Sequence, residues 1–135
     1  MYTIQELANR YHIQTSALRY YEEIGLLQNV GRTTASNKRI YDDSHIARLD
    51  GVLCFKRTGM SIAQIQEFYK YESDFSANID NILHLVQNHE YEIIEKIENM
   101  QKDLDHIREK IQYYSAVKRA VESNAPIPSW DDVIL

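Results

Sequence analysis

Nothing in the chain reads as a membrane span: no run of about 18 consecutive apolar residues occurs. The amino terminus also lacks the basic stretch and following apolar stretch of a secretory leader. Cysteine is nearly missing. The single one, Cys54, cannot close an internal disulfide. These scarcities lead us to expect a soluble, cytoplasmic protein whose thiol stays reduced. Catalytic patterns are missing too. We find no nucleophile motif, no pocket-forming acid–base pair and no phosphate loop, so an enzyme is the weakest class. His84 and His89 stand five apart, which suits one helical face poorly, and no metal or cofactor is expected. Proline is confined to Pro126 and Pro128. Between about Ile79 and Val121 there is neither proline nor glycine, so nothing in that stretch breaks a helix.

What is present is asymmetric. The 135 residues, 44% hydrophobic, suffice for one compact domain or a small domain with an extension. Residues 1–60 carry eight Lys/Arg against six Asp/Glu, whereas residues 61–135 carry seven against fourteen. A nucleic-acid partner would therefore dock at the front. Charge that only solvates the surface would give the same count.

The front reads as a run of short elements. Thr3-Ile-Gln-Glu6 has the form of a capping box. Ile4, Leu7, Ala8 and Tyr11 then fall at i, i+3, i+4 and i+7 on one helical face. A second helix from about Thr15 to Ile24 stops at Gly25, which gives two helices joined by a short turn. On a wheel of 100° per residue, Ala17, Leu18 and Tyr21 share the inward side, and Ser16, Arg19, Tyr20 and Glu23 the outward side. An outward Arg19–Tyr20 pair suits a phosphate, through a forked cation and a phenolic donor. Pairing of Arg19 with Glu22 or Glu23 is the alternative.

Next, apolar segments flank "GRTTASNK", predicting two short strands and a turn in which Asn37 tolerates positive φ. The period of two places Arg39 and Tyr41 on one strand face, with Arg32 and Lys38 nearby. Such a hairpin with a cationic tip is a wing able to touch a DNA backbone, or else a solvated loop. Asp42-Asp43-Ser44 caps a third helix with Ile46, Leu49 and Leu53 inward, ended by Thr58-Gly59. Ser61-Ile-Ala-Gln64 is another capping box. It opens a fourth helix with Ile62, Ile65, Phe68 and Tyr69 as its apolar positions. We expect this module to close near Tyr71.

Heptads fill the rest. One seam holds Leu83, Ile97, Leu104 and Ile111. The other holds Val86, Ile93, Met100, Ile107, Tyr114 and Val121, three residues away as a and d positions require. Glu90 and Lys118 interrupt the first seam. A helix of about 40 residues would be about 60 Å long. It cannot bury that stripe on a small module, so a second copy of the chain is expected as its partner. The tail after residue 122 should be non-helical through Trp130. Its Trp130, Val133, Ile134 and Leu135 either dock or stay disordered. The expected organisation is a winged helix-turn-helix over 1–71, a dimerisation helix over 76–122 and a tail over 123–135.

This order of parts resembles the MerR family of bacterial transcription regulators. The residues carrying the resemblance are "TIQELANRY", "ALRYYEEIGLL", "RIYDDSHIARL" and "RTGMSIAQI", spread over residues 3–65. The resemblance implies a mainly all-α fold with a small β-hairpin wing and homodimers whose long helices form an antiparallel coiled coil. It implies binding to double-stranded promoter DNA, with the second helix in a major groove and the wing on the backbone. It implies activation by kinking and untwisting an overlong promoter spacer so that RNA polymerase can engage both elements. By the same resemblance Arg19, Tyr20, Arg39 and Tyr41 would contact phosphates, and Thr15 and Ser16 would face the groove. The chain departs from the family in two places. Its turn reads His12-Ile13-Gln14 rather than a Gly-Val-Ser-like sequence, and Asn37 stands where the wing usually has Gly.

Metal-responsive members place cysteines at the start of the long helix and in the loop after it, and this chain has none there. Cys54, in "LCFKRTGMSI", instead resembles the aldehyde- and electrophile-responsive branch. It lies about 100° from Leu53 on the third helix and is expected to be partly buried, with Lys56 and Arg57 close enough to favour a thiolate. A small core cysteine without chemistry is the alternative. So is induction by reversible binding of an aromatic or cationic small molecule to Tyr113, Tyr114 and Trp130. From a different class altogether, the chain could be a coiled-coil adaptor whose front binds protein.

Overall fold

The computed structural model describes residues 1–135. Strand β1 (Tyr2–Thr3) leads into helices α1 (Ile4–Tyr11) and α2 (Thr15–Glu23). Strands β2 (Gly31–Arg32) and β3 (Arg39–Tyr41) follow, then α3 (Asp43–Arg57), α4 (Ile62–Glu72), α5 (Phe75–Glu122) and α6 (Trp130–Val133). The chain divides into two compact units, Met1–Gln87 and Asn88–Leu135.

Side chains dictate where the short helices begin. Thr3, Asp42, Ser61 and Ser129 each accept a backbone N–H of the following turn in a reciprocal capping box. Helix α2 is the exception: its cap position is Gln14, which makes no side-chain cap bond. The ends share a second device. Backbone bonds spanning five residues close four helices: Ile13 to Ala8 (3.0 Å), Leu26 to Tyr21 (2.8 Å), Met60 to Phe55 (2.9 Å) and Ala125 to Ala120 (2.8 Å). Each closure passes through one left-handed residue, respectively His12, Gly25, Gly59 and Asn124. Glycine accepts that backbone without penalty. Asparagine and histidine each carry a Cβ that crowds the neighbouring carbonyl, and the short polar side chain of asparagine offsets part of the cost.

The turn between α1 and α2 therefore departs from the family pattern at both structurally demanding positions. His12, at φ 55° and ψ 43°, stands where a glycine would be unstrained. Gln14 stands where a serine would cap α2. The helix-turn-helix still forms because its apolar contacts outweigh two local penalties of about 1 kcal/mol each.

The sheet has order β1-β3-β2, antiparallel throughout. Sequence periodicity did not suggest β1, whose two residues are too few to show alternation. Tyr2 pairs with Tyr41, Gly31 with Ile40, and Arg32 with Arg39. The turn joining β2 and β3 passes through Asn37 at φ 52°, as its residue type allows.

Leu7, Leu18, Tyr21, Leu26, Leu27, Tyr41, Leu49, Val52 and Ile65 form the centre of the first unit, each at most 2% exposed. On α3 the buried stripe is His45, Leu49, Val52 and Leu53, with Ile46 only partly covered. The expected stripe is thus rotated, because His45 is held inward from both ring nitrogens. Nδ1 accepts the Asp42 N–H (3.0 Å), so the proton sits on Nε2, which donates to the Gln28 carbonyl (2.7 Å). Leu85 also packs on the core and Ile82 is buried, so the first unit runs past the expected close at Tyr71 to Gln87. Arg48 braces the far side: it donates to the Leu26 carbonyl (3.2 Å), with its guanidinium 4.0 Å from the Tyr69 ring centre.

In the second unit the tail turns back after Asn124 and docks. Tyr113 donates its hydroxyl to the Pro128 carbonyl (2.9 Å), and the Trp130 ring lies 5.3 Å from that of Tyr113. The tail is ordered by docking, and helix α6 begins at Trp130 itself.

The turn supplies a stability test. Gln14→Ser and His12→Gly should each raise the unfolding free energy by about 0.5–1 kcal/mol in chemical denaturation. Gly25→Ala should lower it by about 1 kcal/mol or more. Open space surrounds the added methyl, so only backbone strain at φ 84° can act.

Candidate nucleic-acid interface

Helix α2 presents the side chains that the periodicity assigns to its two sides. Leu18 and Tyr21 are buried, whereas Ser16, Arg19 and Tyr20 are exposed, Tyr20 by 45%. Arg19 forms no ion pair with Glu22 or Glu23. Its Nη1 donates to Thr15 Oγ1 (3.3 Å), one turn earlier, which steers the guanidinium along the outer face of the helix. Ser16 bonds to the Gln14 side chain (3.3 Å).

The wing brings its cations to the same place. An open cleft of about 580 Å³ is lined by Thr3, Gln5, Arg19, Arg32, Lys38 and Arg39, among others. Four predicted contact residues thus come from α2 and from both strands of the wing to one surface. Arg32 Nη1 donates to the Asn37 carbonyl (3.2 Å), tying the guanidinium to the turn tip. Arg32 and Arg39 face each other across the antiparallel pair. Like charges so placed work against the sheet, so the arrangement suits an anionic ligand better than it suits the fold alone. The one carboxylate bonded to a cleft cation is Glu22, whose Oε2 lies 2.5 Å from Arg39 Nε. The sequence hinted at Glu22 only as a partner for Arg19. Its pairing with a residue 17 positions away depends on the wing folding back over α2.

Tyr41 requires a correction. It shares the strand face of Arg39, as expected, but that face runs from the cleft into the core, and Tyr41 is fully buried. Its ring meets His45 edge-on at 5.4 Å, and its hydroxyl has no hydrogen-bond partner. Burial pushes its pKa up, and the Glu22 carboxylate adds to this. Arg39, Arg19 and Arg32 pull the other way. The phenol therefore stays protonated near neutrality, next to the cationic cleft but without exposed surface.

Cys54 is a second correction: it is exposed rather than partly buried. Leu49, Val52 and Leu53 take the inward positions of α3, and the next residue is rotated out. Nor does Lys56 reach toward the thiol. Its ammonium bonds the Tyr21 hydroxyl (3.2 Å). On α5 the expected seam residues Leu83, Val86, Ile97, Met100, Leu104, Ile107, Ile111 and Tyr114 are 39–68% exposed. Val121 is exposed as well and Ile93 is half-buried. No cluster of three or more His, Cys, Asp or Glu side chains is placed to hold a metal ion.

Comparison with known proteins gives this geometry a context. The sequence model of the "MerR HTH family regulatory protein" family matches residues 2–72. An HTH-type transcriptional regulator of Haemophilus influenzae, described as uncharacterized, is 31% identical over 117 residues, covering 87% of this chain and 86% of its own. The HTH-type transcriptional regulator AdhR of Bacillus subtilis is 32% identical over 65 residues, 48% of this chain and 46% of its own. Among solved structures, the chain is similar to HiNmlR, described as a MerR family regulator lacking the sensor domain, bound to promoter DNA. The TM-score is 0.83, with 29% identity, covering 99% of this chain and 96% of that one.

The orphaned hydroxyl gives a direct check. Tyr41→Phe should leave the stability of the free protein unchanged or raise it by up to about 1 kcal/mol, because no protein hydrogen bond is lost. A loss above about 1 kcal/mol in denaturant titration would show that the hydroxyl has a partner.

Proposed function

The chain belongs to the MerR family of helix-turn-helix regulatory proteins, and on that footing we propose a homodimeric transcription activator that grips promoter DNA through its winged head. The observation that carries this reading is the gathering of Arg19, Arg32, Lys38 and Arg39 around one open cleft. Thr15, Ser16 and Tyr20 occupy the outer side of α2 and would meet the groove and the adjoining backbone. The cations set the register on the duplex, because phosphate contacts carry position and base edges carry sequence. A protein-binding adaptor has no need to collect four cations on one surface.

A second copy of the chain covers the stripe on α5. Burying a row of half-exposed Leu, Ile and Met side chains contributes roughly 25 cal/mol per Å² of apolar area, which no solvated single helix recovers. The paired heads then engage two half-sites and deform the spacer between them, the step by which the promoter becomes a substrate for RNA polymerase.

Cys54 is the proposed sensing thiol, answering an electrophile, aldehyde or oxidant. Its exposure and its place in "LCFKRTGMSI" support this reading, and AdhR is a relative over 65 residues of the chain. Tyr113 and Trp130, the groups available for reversible ligand binding, pack on each other and the tail, which disfavours that route.

In a gel-shift series on the chain's own upstream duplex, Arg19→Ala should weaken binding at least about tenfold with its unfolding curve unchanged. Ile97→Asp combined with Leu104→Asp should sediment as a monomer and lose the shifted band. Full affinity in both variants would refute the assignment. Cys54→Ser should bind DNA normally yet give no induction by an electrophile in a reporter strain. Normal induction there would make Cys54 a bystander.

A further inference from the structure

The Glu22–Arg39 contact is placed strangely for a surface meant to attract phosphate. A carboxylate beside the cleft repels the ligand and partly cancels a cation. Its geometry, however, is selective. The bond runs from Arg39 Nε to Glu22 Oε2, and both side chains are about one quarter exposed, 25% and 26%. No other hydrogen bond or ion pair of the Arg39 guanidinium is formed within the chain. The Nε–H of the guanidinium is therefore taken, its two Nη groups, the prongs that a phosphate accepts bidentately, have no partner within the chain, and Arg39 lines the cleft.

Resting on the DNA-binding reading above, we propose that Glu22 is a positioning residue. It fixes the wing arginine so that its fork is aimed before the duplex arrives. Arginine has a long, rotamer-rich side chain, and ordering such a chain on binding costs affinity. A carboxylate reached from the last turn of α2 removes that cost in advance. It also joins the wing to the helix that enters the groove, so both touch the duplex in fixed register. The carboxylate binds at Nε rather than at the Nη prongs, and its repulsion of the phosphate is screened by the cation it holds.

Charge alone and positioning alone predict opposite signs. Removing a negative charge from a phosphate-binding surface should by itself tighten binding. If Glu22 positions Arg39, Glu22→Ala should instead weaken it, by about tenfold for one ordered side chain per protomer. Glu22→Gln, which keeps an acceptor for Nε without the charge, should fall between the two. The decisive arm is the cycle with Arg39→Ala: in that background Glu22→Ala should be neutral or tighten binding, because nothing is left to aim. All variants are measured as full chains on the same upstream duplex by fluorescence anisotropy, with thermal unfolding run alongside. Equal or tighter binding by Glu22→Ala in the wild-type background overturns the proposal. So does an equal loss with and without Arg39. Failure of the unsubstituted chain to bind the duplex at low salt would instead overturn the DNA-binding reading beneath it.

Discussion

Four cationic side chains crowded around one cleft constrain the rest of the winged head. Arg32 and Arg39 face each other across a two-residue strand pairing, while Arg19 and Lys38 line the same cleft from α2 and the turn of the wing. Their mutual repulsion contributes nothing to folding and must be offset elsewhere. The offset is local and specific. Each cation but Lys38 has one bond that fixes its direction: Arg19 to Thr15, Arg32 to the Asn37 carbonyl, and Arg39 to Glu22. These bonds fix three guanidiniums around the cleft and pair only one of them with a carboxylate.

A cluster of that kind needs a stiff base, which helix termini and core supply together. Capping boxes start four of the short helices, and the same left-handed closure ends four helices. The apolar residue just after each of the first three closures, Ile13, Leu26 or Met60, packs in or on the core. The chain therefore changes direction and adds to the interior at the same point. His45 performs a similar double role. It caps the start of α3 and holds the loop at Gln28, and its ring meets Tyr41 below the wing. The wing is thereby anchored from beneath, and its charged tip is carried on a buried aromatic pair.

Most of this architecture was legible in the sequence because it is written in local chemistry. Two capping boxes, the cap at Asp42, the stops at Gly25 and Gly59, and the inward–outward split of Tyr21 and Tyr20 follow from residue type and a 100° period. What was not legible depends on distance along the chain. Tyr41 and Arg39 share a face by period, but only the packing of β3 over His45 decides that the face is core at one end and cleft at the other. Glu22 finds Arg39 only once the wing folds back. Cys54 sits beside Leu53 in sequence, and a rotation of the buried stripe by one position moves it from the flank to the surface. Docking of the tail likewise depends on Trp130 meeting Tyr113, two aromatics whose mutual preference no periodicity reveals.

The central claim is electrostatic: the head holds its ligand by replacing the counterions of a duplex with its own fixed cations. Salt dependence tests that directly. The logarithm of the duplex association constant should fall linearly with the logarithm of salt concentration. The expected slope is about −5 to −7 if a dimer neutralises roughly six to eight phosphates. A slope near zero, with binding that persists unchanged into high salt, would contradict the account, because the cationic cleft would then not be what touches the DNA.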